Sequence, residues 1–273
     1  MNKLPIGIFD SGVGGLSILR EIRNLLPNED LHYFADQAHV PYGARSLEEV
    51  RGYSEGITSF LLERGAKLIV VACNTASAAS LYHLRDRFPE MLFVGMEPAV
   101  KPAVQITRNG IVGVLATTAT FQGELFASVV DRFAKGVTVI PVSVPGLVEQ
   151  IEAGEIDTPE TREILRLAIQ PILDSSADTL VLGCTHYPFI IPVLQELAGD
   201  EVTVINPSPA IARQTLHLLT NNNLLTSESG VGKVVVYSSA VRPSLAAMLS
   251  LVDLASAEIL PVTWLGDAIV PID

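Results

Sequence analysis

The chain has 273 residues, is 48% apolar and carries a formal net charge of −12. This charge argues against general attraction to nucleic acid or to anionic membranes, and no uncharged apolar run of about 18 residues predicts a membrane span. Because the first residues lack a signal-peptide core, we expect a cytoplasmic protein whose two cysteines stay reduced.

The first part of the sequence alternates between apolar runs of strand length and segments with helical spacing. Strands are predicted at 5–9, 31–35, 68–72 and 92–96, and helices between them at 16–26, 47–64 and 75–88. Alternation of this kind predicts βαβ units and a parallel sheet. The loop Asp10-Ser11-Gly12-Val13-Gly14-Gly15 follows the first strand, but its spacing differs from the dinucleotide fingerprint G-x-G-x-x-G. We therefore expect no NAD or FAD.

The pattern restarts near Gly110, where an apolar strand ends in the hydroxyl-bearing residues 117–120. Further strands are predicted at 137–142, 202–205 and 231–237, and further helices at 147–153, 159–175, 190–197 and 211–219. After them we expect one more short helix and a proline-rich terminus.

The two halves share the order of a strand followed by polar residues. Gly7 and Gly113 are 106 residues apart, and Cys73 and Cys184 are 111 residues apart. We infer an α/β fold with two similar three-layer domains, mainly parallel sheets and a pseudo-two-fold relation, with the site in the cleft between them. Proline-bearing joints near Pro98 and Pro207 predict a second domain at 98–208, which leaves 1–97 and 209–273 for the first.

The two cysteines occupy matched positions, because Cys73 follows the apolar run 68–72 and Cys184 follows the run 179–183. Four interpretations are open. A redox pair would usually use C-x-x-C, and a metal site would need more Cys, His or carboxylate ligands than these motifs offer. The thiols could be two unrelated buried residues. The fourth interpretation is proton transfer at a carbon acid.

Inversion of a stereocentre needs a base on one face of the carbon and a conjugate acid on the other. Cys73 and Cys184 on opposite walls of a cleft would meet this need, and the surroundings of a thiol can tune its pKa. His186 could ionise or orient Cys184. Asp10 could act in the same way on Cys73, or it could hold a substrate ammonium.

The polar residues near the strand ends also indicate the charge of the substrate. Neutral donors at helix N-termini bind carboxylates well, and the candidates are Ser11, Asn74, Thr75, Thr117, Thr118, Thr120 and Thr185. Asp10, Glu97 or Glu152 could pair with an ammonium. A small amino acid with an extra carboxylate fits this set of side chains.

Five motifs occur in order along the chain: Asp10-Ser11-Gly12-Val13-Gly14-Gly15, Pro41-Tyr42-Gly43, Ala72-Cys73-Asn74-Thr75, residues 117–120, and Leu182-Gly183-Cys184-Thr185-His186-Tyr187-Pro188. With them, nearly the whole chain resembles glutamate racemases, members of the PLP-independent aspartate/glutamate racemase superfamily. The resemblance implies interconversion of L- and D-glutamate, supply of D-glutamate for peptidoglycan, and no metal or pyridoxal phosphate. It also implies two pseudo-symmetric domains, with the tail returning to the first.

The resemblance further implies roles for individual residues. Cys73 and Cys184 would be the acid/base catalysts, matched to the α-protons of D-glutamate and L-glutamate respectively, with Asp10, Glu152 and His186 as assistants. The implied substrate-binding residues are Asp10, Ser11, Tyr42, Gly43, Asn74, Thr75, Thr185 and His186, and the hydroxyls of Thr117 and Thr120 are added from the substrate argument above.

Partners and alternatives follow from the same resemblance. The segment 95–103 resembles the enterobacterial-type branch, some members of which need a peptidoglycan precursor as activator. Cleft enzymes of this kind are often homodimers. A racemase for aspartate or another acidic amino acid would share the two thiols, and a protein that binds glutamate without turning it over would share the cleft.

Overall fold

The computed structural model describes residues 4–240 and 242–272, and these form eleven strands and eleven α-helices. The strands, numbered in chain order, are β1 (Ile6–Asp10), β2 (Leu31–Ala35), β3 (Leu68–Val71), β4 (Phe93–Gly95), β5 (Ile111–Ala116), β6 (Thr138–Ser143), β7 (Thr179–Gly183), β8 (Thr203–Ile205), β9 (Val234–Ser238), β10 (Glu258–Leu265) and β11 (Ala268–Pro271).

The helices surround the strands. They are α1 (Leu16–Leu25), α2 (Leu47–Glu63), α3 (Asn74–Arg87), α4 (Val100–Ile106), α5 (Thr118–Gln122), α6 (Glu124–Phe133), α7 (Leu147–Ala153), α8 (Pro159–Asp174), α9 (Ile191–Ala198), α10 (Ser208–Asn221) and α11 (Pro243–Leu251). Short 3-10 turns lie at Tyr42–Ala44 and Tyr187–Ile190. Among the residues that the structure describes, no helix is long and apolar enough to cross a membrane.

The strands belong to two sheets. The larger has the order β11-β10-β9-β2-β1-β3-β4, and the smaller has the order β6-β5-β7-β8. All neighbouring strands are parallel except β10 and β11. The predicted α/β class with mainly parallel sheets is therefore confirmed. The domain boundaries at 97/98 and 208/209 stay a prediction.

Strand register brings the loops of the site to the same edges. Asp10 at the end of β1 lies opposite Ala35 at the end of β2, and Phe9 lies opposite Val71 at the end of β3. In the smaller sheet, Ala116 of β5 lies opposite Gly183 of β7. Every residue of β1, β3 and β7 is buried, as expected of central strands covered on both faces.

The proline-rich C-terminal segment contains two strands that were not predicted from the sequence. After α11 the chain forms β10 and β11 and extends the larger sheet. Pro261 lies opposite Ser238 and outside the part of β10 that pairs with β11. Strands tolerate proline near a sheet edge. The sequence analysis also missed α4, α5 and α6.

A buried ion pair lies at the amino ends of the central strands, away from the site. Nζ of Lys67 is 2.5 Å from Oε2 of Glu29, and both side chains are 2% exposed. The other oxygen of Glu29 accepts a hydrogen bond from the backbone N–H of Thr226. The pair thus joins the segment before β3, the segment before β2 and the chain that leads to β9.

We predict that Lys67→Met lowers the free energy of unfolding by roughly 3–5 kcal/mol, because the Glu29 carboxylate stays buried without its counter-charge. Urea unfolding at pH 7 measures this loss. Lys135→Met, at an exposed lysine, is the control, and Glu29→Gln added to Lys67→Met should restore most of the stability. A single variant as stable as the unmodified chain would contradict the prediction.

Candidate active site

Cys73 lies where β3 gives way to α3 and is the N-cap residue of that helix. Its Sγ accepts a hydrogen bond from the backbone N–H of Ala76 at 3.4 Å, and the residue is 5% exposed. The extended backbone at this N-cap turns the chain from strand to helix and directs the thiol away from the sheet. Asn74 and Thr75 begin the helix and lie beside the thiol.

Cys184 directly follows β7 in the smaller sheet and is 6% exposed. Its Sγ is 3.8 Å from Nδ1 of His186, two residues further on. The short turn that follows, Tyr187–Ile190, stops the chain from continuing the strand. The second thiol therefore has an imidazole as an immediate neighbour, which the first thiol lacks.

Both cysteines line one cavity of about 10 Å³, which is room for about one water molecule. Its other lining residues are Ser11, Pro41, Tyr42, Gly43, Asn74, Thr75, Thr117, Val148, Thr185 and His186. The structure thus brings together all but five of the residues that the sequence singled out. Asp10, Thr120 and Glu152 lie directly behind the lining, whereas Thr118 and Glu97 are exposed outside it. Val148 was not predicted, and Pro41 was named only as part of a motif. The roles of all these residues stay a prediction at this point.

Glu152, His186 and Cys184 form a buried chain of contacts. Oε1 of Glu152 lies 2.6 Å from Nε2 of His186, whose Nδ1 faces Cys184. Burial lowers the pKa of His186, but the contacts with Cys184 and Glu152 outweigh it and raise that pKa well above its usual value. Burial raises the pKa of Glu152, and the hydrogen bond with His186 reverses this, so that the net pKa is lowered. The pair is therefore an imidazolium beside a carboxylate.

Asp10, at the end of β1, is fully buried behind the cavity. Its Oδ1 accepts from the backbone N–H of Gly12 at 2.9 Å, and its Oδ2 accepts from the hydroxyl of Thr185 at 2.8 Å. Burial raises the pKa of Asp10 to about 6, although His186 and these two hydrogen bonds act against it.

The pKa of Cys73 is raised well above its usual value, first by burial and then by the negative charge of Asp10. Since both effects disfavour the thiolate, Cys73 is a thiol in the substrate-free protein. The two cysteines thus lie in different electrostatic surroundings, with a carboxylate near Cys73 and an imidazolium beside Cys184.

Glycines in the loop after β1 allow the acid/base residues to approach. A Cβ at Gly12 would overlap the carboxylate of Glu152, and a Cβ at Gly14 would lie 2.5 Å from Nδ1 of His186. The backbone N–H of Val13 also donates to Oε1 of Glu152 at 2.7 Å. The loop therefore binds a carboxylate of the protein itself, which its sequence alone did not indicate.

Three threonines join the two sheets at the cavity. Oγ1 of Thr75, at the start of α3, lies 2.8 Å from Oγ1 of Thr117 and 3.3 Å from Oγ1 of Thr120. Thr117 is the N-cap of α5 and lies 2.9 Å from Thr120. These hydroxyls can exchange their mutual hydrogen bonds for bonds to a ligand carboxylate.

Tyr42 and Gly43 come from the loop after β2 and close another side of the cavity. The hydroxyl of Tyr42 donates to Oδ2 of Asp36 at 2.6 Å, so it binds the protein rather than facing the cavity. Asp36 is fully buried and also accepts from the hydroxyl of Ser239 and from Nε1 of Trp264. Sequence reasoning missed this carboxylate, although its place just after a strand was a signal.

Comparisons with a family model, with curated proteins and with solved structures all match this chain to racemases. The family model described as Asp/Glu/Hydantoin racemase matches residues 6–215. A glutamate racemase from Roseiflexus sp. (strain RS-1) is 50% identical over 239 residues, 88% of each chain. The structure of a glutamate racemase isoform from Bacillus anthracis superposes with a TM-score of 0.87 at 28% identity and covers 98% of this chain and 100% of that one.

The chain belongs to the Asp/Glu/hydantoin racemase family. It is an amino-acid racemase, since curated relatives match it at high identity over most of its length. A third similar protein is the Escherichia coli glutamate racemase, whose structure holds L-glutamate and the activator UDP-MurNAc-ala. It is 34% identical, with a TM-score of 0.84 and coverage of 96% of this chain and 100% of that one.

The site of this racemase offers a ligand one polar side chain without any protein partner. Both Oδ1 and Nδ2 of Asn74 are buried and make no hydrogen bond to the described residues. A buried amide of this kind costs free energy unless a ligand satisfies it. In the parts of the chain that the structure describes, no three His, Cys, Asp or Glu side chains are grouped so that they could hold a metal ion.

We predict that Asp10→Asn in this racemase changes how stability depends on pH. An acid whose pKa is raised on folding binds its proton more tightly in the folded state, so its contribution to stability falls as the pH rises from about 4 to about 6. The rise of the Asp10 pKa to about 6 on folding corresponds to roughly 3 kcal/mol at neutral pH. The stability of the variant relative to the unmodified chain should therefore increase over this range and level off above it.

Urea unfolding at pH 4.5 and pH 7.5 measures the effect, and Asp131→Asn, at an exposed aspartate, serves as control. A stability difference between Asp10→Asn and the unmodified racemase that is the same at both pH values would contradict the predicted burial of charge.

Proposed function

We propose that this racemase interconverts L- and D-glutamate by proton transfer at Cα between Cys73 and Cys184. The observation that carries the proposal is that the two thiols, delivered by β3 of one sheet and β7 of the other, line the same small cavity. Two groups that reach one cavity from separate sheets can act on opposite faces of one carbon.

In the direction from L-glutamate, the thiolate of Cys184 takes the α-proton, and the thiol of Cys73 gives its proton to the opposite face. The raised pKa of Cys73 supports its role as the donor in this direction. The imidazolium of His186, held by Glu152, lies beside Cys184 and can act as the counter-ion of its thiolate. At the end, Cys184 is a thiol and Cys73 a thiolate.

The reverse direction starts from that second state, in which Cys73 takes the α-proton of D-glutamate and Cys184 returns one to the other face. A positive charge close to a thiol favours its ionised form. The ammonium group of the bound amino acid therefore helps Cys73 to act as a base despite its burial, and Asp10 is the nearby carboxylate that can hold this ammonium.

The polar lining favours a dicarboxylic amino acid. Apart from the His186 imidazolium, the donors around the cavity are neutral, and among the described residues no lysine or arginine lines it. Neither polar atom of the Asn74 side chain has a partner among the described residues, so its Nδ2 can donate to a carboxylate and its Oδ1 can accept from an ammonium, and the hydroxyls of Thr75 and Thr117 lie next to it. Such donors bind a carboxylate at each end of the substrate without fixing it to a strong cation. The names of the relatives support glutamate as the substrate, and equal turnover of aspartate would contradict this choice.

The wider setting completes the proposal. D-Glutamate from this reaction would serve peptidoglycan synthesis in the cytoplasm, and the protein would be a homodimer. The Escherichia coli relative was crystallised with UDP-MurNAc-ala as activator, and we carry over a peptidoglycan precursor as activator here. A rate of racemisation that is unchanged by UDP-MurNAc-ala would contradict the proposed activation.

We predict that Cys73→Ala and Cys184→Ala each lose racemisation, because one face of the carbon then lacks its acid/base group. Any remaining exchange of the α-proton with D2O should be confined to D-glutamate in Cys184→Ala and to L-glutamate in Cys73→Ala. Proton NMR of each enantiomer measures exchange, and circular dichroism measures inversion.

The control for these variants is Ser54→Ala, which removes a buried polar group of α2 whose hydroxyl bonds to Val50 away from the cavity. It should keep full activity. Wild-type rates of racemisation in either cysteine variant would end the two-cysteine proposal.

We also predict that Asn74→Leu weakens glutamate binding while it stabilises the substrate-free protein by about 1 kcal/mol. The gain arises because two buried polar atoms without partners are removed. Calorimetric titration of glutamate and thermal unfolding without ligand measure the two effects. A variant that loses stability, or that binds glutamate as well as the unmodified chain, would show that the Asn74 amide does not face the substrate.

A further inference from the structure

Beyond the residues that line the cavity, one buried side chain connects the larger sheet to the acid/base pair. Gln37 follows Asp36 in the loop after β2 and is fully buried. Its Nε2 donates to Oε2 of Glu152 at 3.3 Å, the oxygen that His186 does not use. Neither the motifs nor the residues carried over from the family resemblance include it.

Two neighbours from the C-terminal part of the chain hold Gln37 in place. The hydroxyl of Ser238, at the end of β9, donates to Oε1 of Gln37 at 2.9 Å and is also 2.6 Å from the carbonyl oxygen of Ala240. Nη2 of Arg242 donates to the backbone carbonyl of Gln37 at 2.9 Å. The amide can donate to Glu152 only when its oxygen points the other way, which is where Ser238 lies.

Glu152 therefore receives its partners from both sheets. His186 belongs to the segment after β7 of the smaller sheet, whereas Val13 and Gln37 belong to loops after β1 and β2 of the larger sheet. Removing Gln37 would leave the carboxylate fixed through one oxygen only. The carboxylate could then rotate, and the imidazole would lose its fixed orientation toward Cys184.

We propose that Gln37 is a positioning residue for the Cys184 half of the reaction: its amide, held by Ser238, orients the Glu152 carboxylate that orients His186. The inference rests on the proposed function, since it assigns Gln37 to one of the two proton transfers. It also makes the tail beyond residue 215, which the family model does not cover, a contributor to the active site.

The charged groups around Glu152 define what a pH measurement would report. Glu152 faces His186 and Asp10 in the site, and Arg242 and Glu149 line the outer pocket that also reaches Glu152. A carboxylate introduced at position 37 would add a like charge beside Glu152 and raise its pKa. If ionised Glu152 is needed for activity, the acidic limb of the pH profile then moves to higher pH.

Gln37→Leu is the first test variant, because it keeps the approximate size and removes the amide. We expect kcat/KM to fall about tenfold, the usual scale for one hydrogen bond to a charged group. Since L- and D-glutamate have equal free energies in solution, kcat/KM must fall equally in both directions. The direction is therefore read from isotope effects with deuterium at Cα.

With L-glutamate as substrate, Cys184 removes the label in the slowed step, so the isotope effect on kcat/KM should rise. With D-glutamate, Cys73 removes the label before the slowed step, so the isotope effect should fall. A general loosening of the site would move both effects the same way. Gln37→Glu should shift the acidic limb of the pH profile upward.

Gln170 provides matched controls. Its Nε2 donates to Oδ1 of Asp174 at 2.8 Å on the exposed face of α8, so Gln170→Leu and Gln170→Glu repeat the chemistry away from the site. Both should keep wild-type kinetics, isotope effects and pH profile.

NMR titration of the His186 ring in the absence of substrate gives a readout that does not depend on the reaction. Gln37→Leu should lower the His186 pKa, because the Glu152 carboxylate is no longer held against Nε2. If the unmodified protein exchanged no α-proton of glutamate or aspartate, the proposed function would fail while this titration still decided the role of Gln37. A Gln37→Leu variant with wild-type isotope effects and an unchanged His186 titration would overturn the inference.

Discussion

The site depends on one constraint: two acid/base groups must reach opposite faces of the same carbon. A single parallel sheet presents all its strand ends along one edge, and groups on that edge approach a ligand from one side. Here the two thiols follow strands of different sheets, Cys73 after β3 and Cys184 after β7. The glycines after β1 and the threonine contacts between α3 and α5 let the two edges come together around a cavity.

Because the acid/base groups lie close together in a buried site, their charges need partners. Asp10, Glu152, His186 and the two thiols are all at least nine-tenths buried, where isolated charges are costly. Glu152 and His186 compensate each other, whereas Asp10 keeps a raised pKa and Cys73 stays protonated. Before substrate arrives, one side of the site therefore holds a compensated ion pair. The other side holds a thiol and, at neutral pH, the Asp10 carboxylate, for which the substrate ammonium can supply a positive partner.

Much of this could be predicted from the sequence because the signals are local. An apolar run that ends in Cys-Asn-Thr or Cys-Thr-His marks both the strand and the position of the thiol just beyond it. Parallel sheets bring such positions to one edge, so the lining of the cavity followed from the motifs. The helices predicted at 47–64 and 159–175 likewise begin where α2 and α8 begin, and Ser46 and Thr158 cap them through the side chain.

The rest could not be predicted because it depends on strand order. Asp36 and Gln37 gain their partners Ser239 and Ser238 only because β9, two hundred residues away, lies beside β2. Trp264 reaches Asp36 from β10, a strand that was not predicted from the sequence. A loop sequence does not show which strand will lie next to it, so the residues that position the catalytic groups became visible only in the fold.

The central claim is that two different thiols handle the two faces of the carbon. The most direct measurement is the distribution of deuterium after a few per cent conversion of L-glutamate, and separately D-glutamate, by the unmodified protein in D2O. The account predicts that the inverted product carries deuterium at Cα while the recovered substrate still carries protium. Deuterium in the recovered substrate to the same extent as in the product, or protium kept in the product, would show that one base serves both faces and would contradict it.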